Sequence, residues 1–593
     1  MERRLLLVFG LTFLLLLLLQ PLLMKYLKKP GAAEPQPQAT VPAEGIPAGT
    51  VSAPTVGTAN ESATPAAGVK QATGESEVVV ENDLYRITFT NKGAQVKSWV
   101  LKKFDDDQGR PLELINSSAR VEAQQNGQPV MQPASEKYGL PMSLWTYDEG
   151  LRTRLNAGLY VAGSTGELKT PADLQFEYSD GDLEVHKSFH FDESYLVKVE
   201  TEVTSSGKPV QAYTAWPAGF GDQIVPASYA AAQVVYQSGD KVTRIKKVSG
   251  GSTLQGPFNW AGAVDQYFGA VFLPDQPNSA TLVTLSSAAA IPKNLDKPDW
   301  KETVPVNLIG FAIGNVNGPT SGRWFIGPKT VNVIDNIWSR PVSGQAVGPN
   351  LGGVVDFGFF GMVGKPLFLW LKWTQSKLSS NPREGWGWAI AILTIVINLA
   401  LLPLRITSMK SALKMQKIQP QVEEIKNRYK NVPMNEKAEM NQEIGKLFKE
   451  NGVNPAGGCL PMILQLPFLW AFYTMLSATI ELRHASWLWV KDLSSPDPLH
   501  LLPILIVLST FGMQRMTPTP GMDPGQARMM NLMMPAMLGV FSWSVAAGLG
   551  EYWLLGTLIA IATQVALNRT AMGQEMRAVA EKRARRKEAR KGK

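Results

Sequence analysis

The segment GWGWAIAILTIVINLALLPL, residues Gly385–Leu404, decides the fold of this 593-residue chain. It is 20 residues long and contains no charged side chain. A helix rises about 1.5 Å per residue, so about 20 apolar residues cross the roughly 30 Å hydrocarbon core of a bilayer. The segment therefore predicts a membrane-spanning helix, although the mean hydropathy of the whole chain, −0.06, is that of a soluble protein.

Further uncharged runs extend this prediction to six spans, and five spans is the alternative because two of the runs are short. The further runs are Leu5–Met24, Asn451–Ile480, Leu499–Gln514, Met529–Gly550 and Tyr552–Asn568. The first resembles a cleaved signal peptide, since two arginines precede it. However, it is long for one, and three lysines follow it with no small-residue cleavage site, which favours a retained signal anchor.

The distribution of charge sets the predicted orientation, because Lys and Arg accumulate on the cytoplasmic side of a membrane. The loop 405–455 carries a net charge of +4 and the tail 568–593 a net charge of +7, whereas residues 78–350 carry −4. With six spans, both basic segments and both termini lie on one side. We therefore expect a bacterial inner-membrane protein with cytoplasmic termini and a large periplasmic domain.

The predicted organisation has a membrane part, a periplasmic part and connecting segments. These are a signal anchor at 1–29, a linker rich in Pro, Ala and Gly at 30–77, a periplasmic domain at 78–350, an interfacial amphipathic helix at 351–384, a five-helix core at 385–568 that includes a cytoplasmic hairpin at 405–455, and a basic tail at 569–593. The linker composition cannot bury enough surface to fold. The interfacial helix is predicted because Phe357–Lys377 mixes aromatic residues with lysines.

Apolar residues alternate with polar ones in the predicted periplasmic domain, as they do in half-buried strands. Tyr85, Ile87 and Phe89 form one such series. Frequent Gly and Pro residues interrupt the chain between series, which predicts an antiparallel all-β sandwich. The expected fold class is thus a multi-domain membrane protein, with an α-helical transmembrane bundle, five of its six spans forming the core, and a periplasmic β-sandwich.

Residues that support metal or hydrolytic chemistry are scarce. One cysteine and four histidines provide no metal-binding motif. His186 and His190 share one face of a predicted strand but lie about 13 Å apart, too far for one metal ion, so we expect surface positions for both. The spans contain no Ser-His or Asp-Asp pair, which argues against an intramembrane hydrolase. We expect no enzyme activity, no metal and no cofactor.

Two apolar series at helical spacing occur in the loop 405–455, and Asn431–Asn435 separates them. The series are Ile418, Val422, Ile425 and Tyr429, and Met440, Ile444, Leu447 and Phe448. The pattern predicts a helical hairpin with one apolar seam. The seam either joins the two helices to each other or docks a partner, and the first is favoured.

Several motifs resemble those of the YidC/Oxa family of membrane protein insertases, in its Gram-negative YidC type. The most specific is NPAGGCLPMILQLP at 454–467, which continues as FLWAFYTMLSATIEL at 468–482. The other motifs are DLSSPDP at 492–498, LLPIL at 501–505, TNKGAQVKSW at 90–99, DQYF at 265–268 and GPK at 327–329. The resemblance covers the chain except for the linker.

The resemblance implies an insertase that moves nascent transmembrane helices from the ribosome into the bilayer, alone or beside the Sec translocon. It also implies five helices around a polar groove that is open to the cytoplasm and to lipid. Polar groups are costly in lipid unless they face protein or water, so polar residues in the spans fit such a groove. Taken singly, they are better explained as interhelical hydrogen-bond partners, which contribute about 0.6 kcal/mol each. The candidate groove residues are Thr394, Asn398, Arg405, Gln465, Ser477, Gln514, Tyr552 and Trp553.

One groove position departs from the family pattern. Members typically carry an arginine five residues before the proline that ends the second span, and Asn398 occupies this position before Pro403. Arg405 follows seven residues after Asn398, rotated by only about 20° and about 10 Å further along a continuous helix. Its side chain either folds back toward Asn398 or extends to lipid phosphates, and the second is favoured as the usual behaviour at an interface.

The basic tail predicts a polyanionic partner. Contacts between its basic residues and ribosomal RNA phosphates would release counterions, and attraction to anionic membrane lipids is the equal alternative. The candidate ribosome contacts are Arg583, Arg585, Arg586, Lys587, Arg590 and Lys591. The alternative to an insertase is a secondary transporter with a polar midplane site. Against it, the chain shows no internal repeat and its spans lack paired acidic residues.

Overall fold

The structure is a computed structural model that describes residues 68–125, 128–248, 251–293, 300, 302–334, 350–429, 437–453, 460–516 and 524–591. All described residues belong to one compact unit. The predicted signal anchor and most of the predicted linker therefore lie outside the described residues. The end of the linker joins the strands that follow it, since the amide of Lys70 donates to the carbonyl of Ser179 at 3.1 Å.

Residues 77–328, here called the β-domain, consist mainly of strands. The strands are β1 (Glu77–Glu81), β2 (Tyr85–Thr90), β3 (Gln95–Asp105), β4 (Pro111–Glu113), β5 (Arg120–Gln125), β6 (Gln128–Pro133), β7 (Ser143–Trp145), β8 (Val161–Ala162), β9 (Gly166–Lys169), β10 (Ala172–Asp180), β11 (Leu183–Phe191), β12 (Leu196–Ser205), β13 (Lys208–Pro209), β14 (Tyr213–Trp216), β15 (Gln233–Ser238), β16 (Lys241–Ile245), β17 (Ser252–Gln255), β18 (Trp260–Val264), β19 (Phe268–Pro274), β20 (Ala280–Pro292), β21 (Thr303–Asn315) and β22 (Thr320–Pro328).

The strands form three sheets. The five-stranded sheet has the order β4-β3-β2-β1-β9. The ten-stranded sheet has the order β16-β15-β18-β19-β22-β12-β11-β10-β8, with β13 paired to β12, and the seven-stranded sheet has the order β6-β5-β20-β21-β14-β7, with β17 paired to β20. Long neighbours such as β20 and β21 are antiparallel, whereas β1 and β9 pair in parallel.

Burial in the strands follows the alternation of the sequence. In β2, the side chains of Tyr85, Ile87 and Phe89 are buried and Arg86 between them is exposed. The main hydrophobic core combines residues from all three sheets. The prediction of an antiparallel all-β sandwich is therefore confirmed only for the high strand content of the domain. The domain is mostly β rather than all-β, because it also contains short helices, α1 (Ala134–Tyr138), α2 (Glu149–Ala157) and α3 (Pro226–Ala231).

The rest of the described chain is helical. Its helices are α4 (Gly361–Leu378), α5 (Trp386–Ala400), α6 (Leu402–Arg428), α7 (Lys437–Glu450), α8 (Leu460–Ala478), α9 (Leu501–Met516), α10 (Pro524–Ser542), α11 (Ala547–Arg569) and α12 (Ala571–Lys591). A second hydrophobic core lies between α4, α5, α8, α9 and α11.

Helix α11 is long and apolar enough to cross a membrane as a single straight helix. Helices α5 and α6 pass the same test only as a pair, which bends by 48° at its break. Pro403 explains the bend, because a proline ring clashes with the preceding helical turn and has no N–H to donate. Helix α9 and residues Met529–Ser542 are apolar but shorter, so the number of spans stays a prediction.

Helix α4 lies between the β-domain and the helical core in the sequence and has two unlike faces. Leu367, Phe368 and Leu371 are buried on one face. On the other face Met362 is 90% exposed and Trp373 is 59% exposed. An apolar exposed face of this kind is typical of a helix at a membrane surface.

Candidate functional site

Three of the predicted groove residues form one hydrogen-bonded chain along α5 and into α6. Thr394 is fully buried, and its hydroxyl donates to the carbonyl of Ile390 at 2.7 Å. The Nδ2 group of Asn398 donates to the carbonyl of Thr394 at 2.8 Å. The Nη2 group of Arg405 donates to Oδ1 of Asn398 at 2.9 Å. The chain of hydrogen bonds therefore ends in a partly buried positive charge.

The expectation that Arg405 extends outward to lipid phosphates is wrong in this structure. The 48° bend between α5 and α6 lies between Asn398 and Arg405, and the guanidinium nevertheless reaches back. The physical reason is the burial of Asn398, which is only 4% exposed. Its Oδ1 atom needs a donor in that setting, and a charged donor forms a stronger hydrogen bond than a neutral one.

Helices α8 and α11 complete the same region. Tyr552 on α11 is buried, and its ring stacks on Phe472 of α8 with centroids 4.2 Å apart. The Tyr552 hydroxyl lies beside the side chain of Gln465 on α8, without a geometrically good hydrogen-bond partner among the described residues. The structure thus brings together Thr394, Asn398, Arg405, Gln465 and Tyr552.

Gly556 on α11 is a member of this region that sequence reasoning missed. A Cβ atom at this position would lie 3.9 Å from Nδ2 of Asn398 and 4.0 Å from Cγ2 of Thr394. The glycine therefore leaves space beside the polar face of α5. A small residue one helical turn after Tyr552 was the signal in the sequence, but nothing in the sequence shows which helix it faces.

Ser477 does not join this region. It lies twelve residues after Gln465 on α8, which is about 18 Å along the helix axis. Its carbonyl accepts a hydrogen bond from Nε2 of Gln266 in the β-domain at 3.1 Å. Ser477 is therefore at the junction between the helical core and the β-domain.

Gln514 and Trp553 face α10 instead. The side-chain amide of Gln514 donates to the carbonyls of Met530 and Asn531, each at 3.2 Å. The ring of Trp553 packs on Phe541, with centroids 5.6 Å apart. Both side chains thus join α10 to its neighbours, α9 in one case and α11 in the other.

The predicted hairpin consists of α6 and α7, and its predicted break at 431–435 lies outside the described residues. Ile418, Val422 and Ile425 of the first apolar series are buried. The remaining residues of the two series, Tyr429, Met440, Ile444, Leu447 and Phe448, are partly buried. An ion pair of 2.8 Å between Arg428 and Glu443 connects the two helices.

A second contact of α6 was not foreseen from the sequence. Met409 and Leu413 of α6 form a small apolar cluster with Met576 of α12. Beside it, Lys417 and Glu575 form an ion pair of 2.6 Å. The helix that begins the loop 405–455 is therefore bound to the helix of the basic tail.

The tail and the histidines complete the set of sequence-predicted residues. Of the candidate ribosome contacts, Arg585 has a described side chain, and it is exposed. His186 and His190 are exposed on β11 as expected, and they face Glu177 and Asp173, respectively. Within the described ranges, no group of three or more His, Cys, Asp or Glu side chains could hold a metal ion.

Two family models match this chain. The model described as 60Kd inner membrane protein matches residues 378–575, which contain the groove residues. The model described as YidC periplasmic domain matches residues 77–370, which contain the β-domain. A crystal structure of an active YidC insertase with its first transmembrane domain resolved aligns over 85% of this chain and 95% of that chain, at 19% identity and a TM-score of 0.35.

Curated relatives match over most of the chain. A membrane protein insertase YidC from Syntrophus aciditrophicus is 30% identical, over 84% of this chain and 86% of the relative. A membrane protein insertase YidC from Ralstonia nicotianae is also 30% identical, over 91% of each chain. Together with the two family models, these relatives identify an inner-membrane protein with a periplasmic domain, and the chain belongs to the YidC family of membrane protein insertases.

Proposed function

We propose that this insertase moves nascent transmembrane helices and short translocated segments through a groove lined by Thr394, Asn398, Arg405, Gln465 and Tyr552. The observation that carries the proposal is the hydrogen bond between Arg405 and Asn398. This hydrogen bond holds the guanidinium of Arg405 against α5, where no described carboxylate interacts electrostatically with it. A charge held in a partly buried place attracts acidic substrate flanks more strongly than the same charge in water.

The groove lowers the cost of bringing a polar substrate segment partway across the membrane. An unsatisfied polar group in hydrocarbon costs several kcal/mol, which hydrogen bonding in the groove offsets. The apolar helix of the substrate then leaves sideways into lipid, and burial of its apolar surface drives the step. No nucleotide hydrolysis is needed for this.

The proposed topology has six spans with both termini in the cytoplasm. Its support is that Met516 at the end of α9 and Asn568 near the end of α11 line one cavity, so these two helices end on the same side. Helix α10, which lies between α9 and α11 in the sequence, then crosses the membrane in the opposite direction. The contact between α6 and α12 also brings the two basic segments to one side, as the positive-inside rule requires.

The proposed partners are nascent membrane proteins, the ribosome, membrane lipids and the Sec translocon. The insertase acts either alone or beside the translocon. The support for the ribosome is the charge of the tail, whose contacts with RNA phosphates would add affinity independent of sequence. The support for lipid is the exposed apolar face of α4. The transporter alternative is not favoured, because the relatives are named insertases.

Insertion assays in cells depleted of their own insertase test the groove. Asn398→Leu should impair insertion of all substrates, because it removes both the hydrogen-bonding amide and the partner of Arg405. Arg405→Ala should impair substrates with acidic translocated flanks about tenfold more than neutral ones, since one lost charge interaction of about 1.4 kcal/mol has that effect. Lys410→Ala removes an exposed positive charge from the same helix and serves as the matched control.

Two results would contradict the proposal. Equal losses for acidic and neutral flanks with Arg405→Ala would show that the guanidinium acts only as an anchor. Normal insertion by Asn398→Leu would show that the polar face of α5 is only a site of helix packing.

A further inference from the structure

A cavity of about 480 Å³ lies where four helices meet, at the end of the spanning helix α11. Arg515 from the end of α9, Arg569 from the end of α11 and Arg577 from α12 line it. Its volume falls within the roughly 300–1,000 Å³ of small-molecule sites. Helix α11 is long and apolar enough to cross a membrane. In the topology proposed above, on which this inference rests, a cavity at the end of α11 lies at the depth of lipid headgroups.

The three arginines have no carboxylate partner among the residues that the structure describes. Arg515 lies over the ring of Phe511, with 4.7 Å between its Cζ atom and the ring centroid, and Arg577 donates to the carbonyl of Asn568. The nearest acid along α12, Glu575, is already paired with Lys417. The cavity therefore presents three positive charges that no described carboxylate neutralises.

The wall of the cavity carries an acceptor without a donor. Gln416 on α6 is 8% exposed, and its Oε1 atom is buried with no hydrogen-bond partner among the described residues. A buried acceptor of this kind costs free energy unless a ligand or water satisfies it. Val565 and Met576 add apolar surface beside it.

We propose that this cavity binds the headgroup of an anionic phospholipid whose phosphate is esterified to a hydroxyl-bearing group, as in phosphatidylglycerol. The arginines bind the phosphate, since guanidinium groups match phosphate oxygens in pairs. A headgroup hydroxyl donates to Oε1 of Gln416, and the apolar wall receives the start of an acyl chain. The zwitterionic headgroup of phosphatidylethanolamine fits less well, because its ammonium group would meet three positive charges.

A lipid is favoured over RNA by the position and the composition of the site. Apolar wall residues and a buried amide acceptor suit a small amphipathic ligand, whereas a contact with RNA needs only exposed positive charge. Basic cavities between membrane helices near the surface are typical sites of anionic headgroups.

Native mass spectrometry of the full-length chain in detergent tests the proposal, with phosphatidylglycerol, phosphatidylethanolamine, phosphatidic acid and free glycerol 3-phosphate as probes. The triple variant Arg515→Gln/Arg569→Gln/Arg577→Gln should lose about tenfold or more of its affinity for phosphatidylglycerol. The matched control Arg583→Gln/Arg585→Gln/Arg586→Gln removes the same charge from the tail and should bind this lipid normally. Because Arg515, Arg569 and Arg577 are exposed, the pocket variant should fold, and its thermal midpoint checks this.

A single substitution tests the role of the amide. Gln416→Leu should weaken phosphatidylglycerol binding severalfold and leave the binding of phosphatidic acid, which lacks the headgroup hydroxyl, unchanged. Equal effects on both lipids would overturn the assignment of the hydroxyl contact.

Three further outcomes would overturn the lipid site itself. One is that the tail variant loses as much lipid binding as the pocket variant. Another is that free glycerol 3-phosphate binds as tightly as the lipid, which would assign the cavity to a soluble anion. The third is that the pocket variant keeps its lipid binding but co-sediments less with translating ribosomes, which would assign the arginines to RNA.

Discussion

Lys187 is a buried lysine whose only described polar partners are backbone carbonyls. Its side chain is 1% exposed, and Nζ donates to the carbonyls of Gly93 at 2.8 Å, Ala94 at 3.1 Å and Met142 at 2.8 Å. Gly93 and Ala94 have φ angles of 67° and 47°, in the left-handed region. The lysine thus stabilises a turn with left-handed backbone conformation, which costs most residues other than glycine about 1–3 kcal/mol of conformational free energy.

Burial lowers the pKa of Lys187 to about 7 from an ordinary value of 10.5. Between these two pH values the unfolded chain binds more protons at this site than the folded chain does. The free energy of unfolding should therefore rise with pH across this window. Thermal unfolding of the full chain at pH 7 and about pH 9.5 measures the rise. Lys187→Met should show a smaller rise, whereas Lys208→Met, which alters an exposed lysine, should behave like the unaltered chain.

Glu551 is a fully buried acid near the start of α11. Both of its carboxylate oxygens lack hydrogen-bond partners among the described residues. Glu551→Leu should raise the thermal midpoint in detergent, because a buried polar group without a partner costs about 1–3 kcal/mol. Glu424→Leu alters an exposed acid and should have little effect. A lower midpoint for Glu551→Leu would mean that the carboxyl has a stabilising partner outside the described residues.

The boundaries of the last two spans show what an uncharged run can predict. The charge of Glu551 limits the uncharged run to Tyr552–Asn568, but α11 begins at Ala547. An acid does not end a helix, and Gly548 lets this turn approach a neighbouring segment closely. A Cβ atom on Gly548 would lie 3.3 Å from the carbonyl of Leu493. An uncharged composition predicts that a segment lies in the membrane, but it does not predict the residue at which one helix ends and the next begins.

The sequence predicts those residues of the candidate site that lie on one face of a single helix. Thr394 and Asn398 are four residues apart and therefore share a face of α5. Ser477 and Gln514 have the same polar character in equally apolar runs, yet they face the β-domain and α10. The identity of the neighbouring helix decides this, and it depends on contacts between distant segments that residue spacing does not record.

Helix α7 should matter for insertion more than for stability. Its apolar side chains are only partly buried, and its ion pair with α6 involves Arg428, which is 59% exposed, so the pair contributes about 1 kcal/mol at most. Replacing Lys437–Glu450 with a Gly/Ser linker of equal length should leave the thermal midpoint nearly unchanged and abolish insertion. The double variant Arg428→Ala/Glu443→Ala keeps α7 and controls for the ion pair. Normal insertion by the linker variant would exclude a role for α7.

The β-domain and the helical core are joined by ion pairs between residues far apart in the sequence. Arg383, just before α5, pairs with Asp105 at 2.6 Å. Arg483, after α8, pairs with Asp107 at 3.0 Å. Partners 278 and 376 residues apart leave no signal in residue spacing, so the sequence predicted both domains but not their junction. These contacts connect the β-domain to the ends of the two helices that carry Asn398 and Gln465.

The two arginines of this junction differ in burial and provide a matched test. The Arg383 side chain is 52% exposed, whereas that of Arg483 is 10% exposed. Behind Arg483 lie Asp222 and Asp265, each with a buried carboxylate oxygen that has no hydrogen-bond partner within the described residues. Burial and the charge of Asp265 raise the pKa of Asp222, and Arg483 opposes this rise. Arg483 therefore favours the ionised form of the buried Asp222 as well as bridging to Asp107.

Arg483→Met should destabilise the full chain by roughly 3 kcal/mol, because removing one partner from a buried charge cluster leaves the others uncompensated. Arg383→Met should cost about 1 kcal/mol or less, as is usual for an exposed ion pair. Thermal unfolding measures both costs, and hydrogen exchange of the segment 104–110 reports whether the junction opens. Equal costs for the two variants would show that Arg483 acts only through its exposed contact with Asp107. A large cost with unchanged exchange would instead place its contribution within the core around Asp222, so that the junction would depend on other contacts.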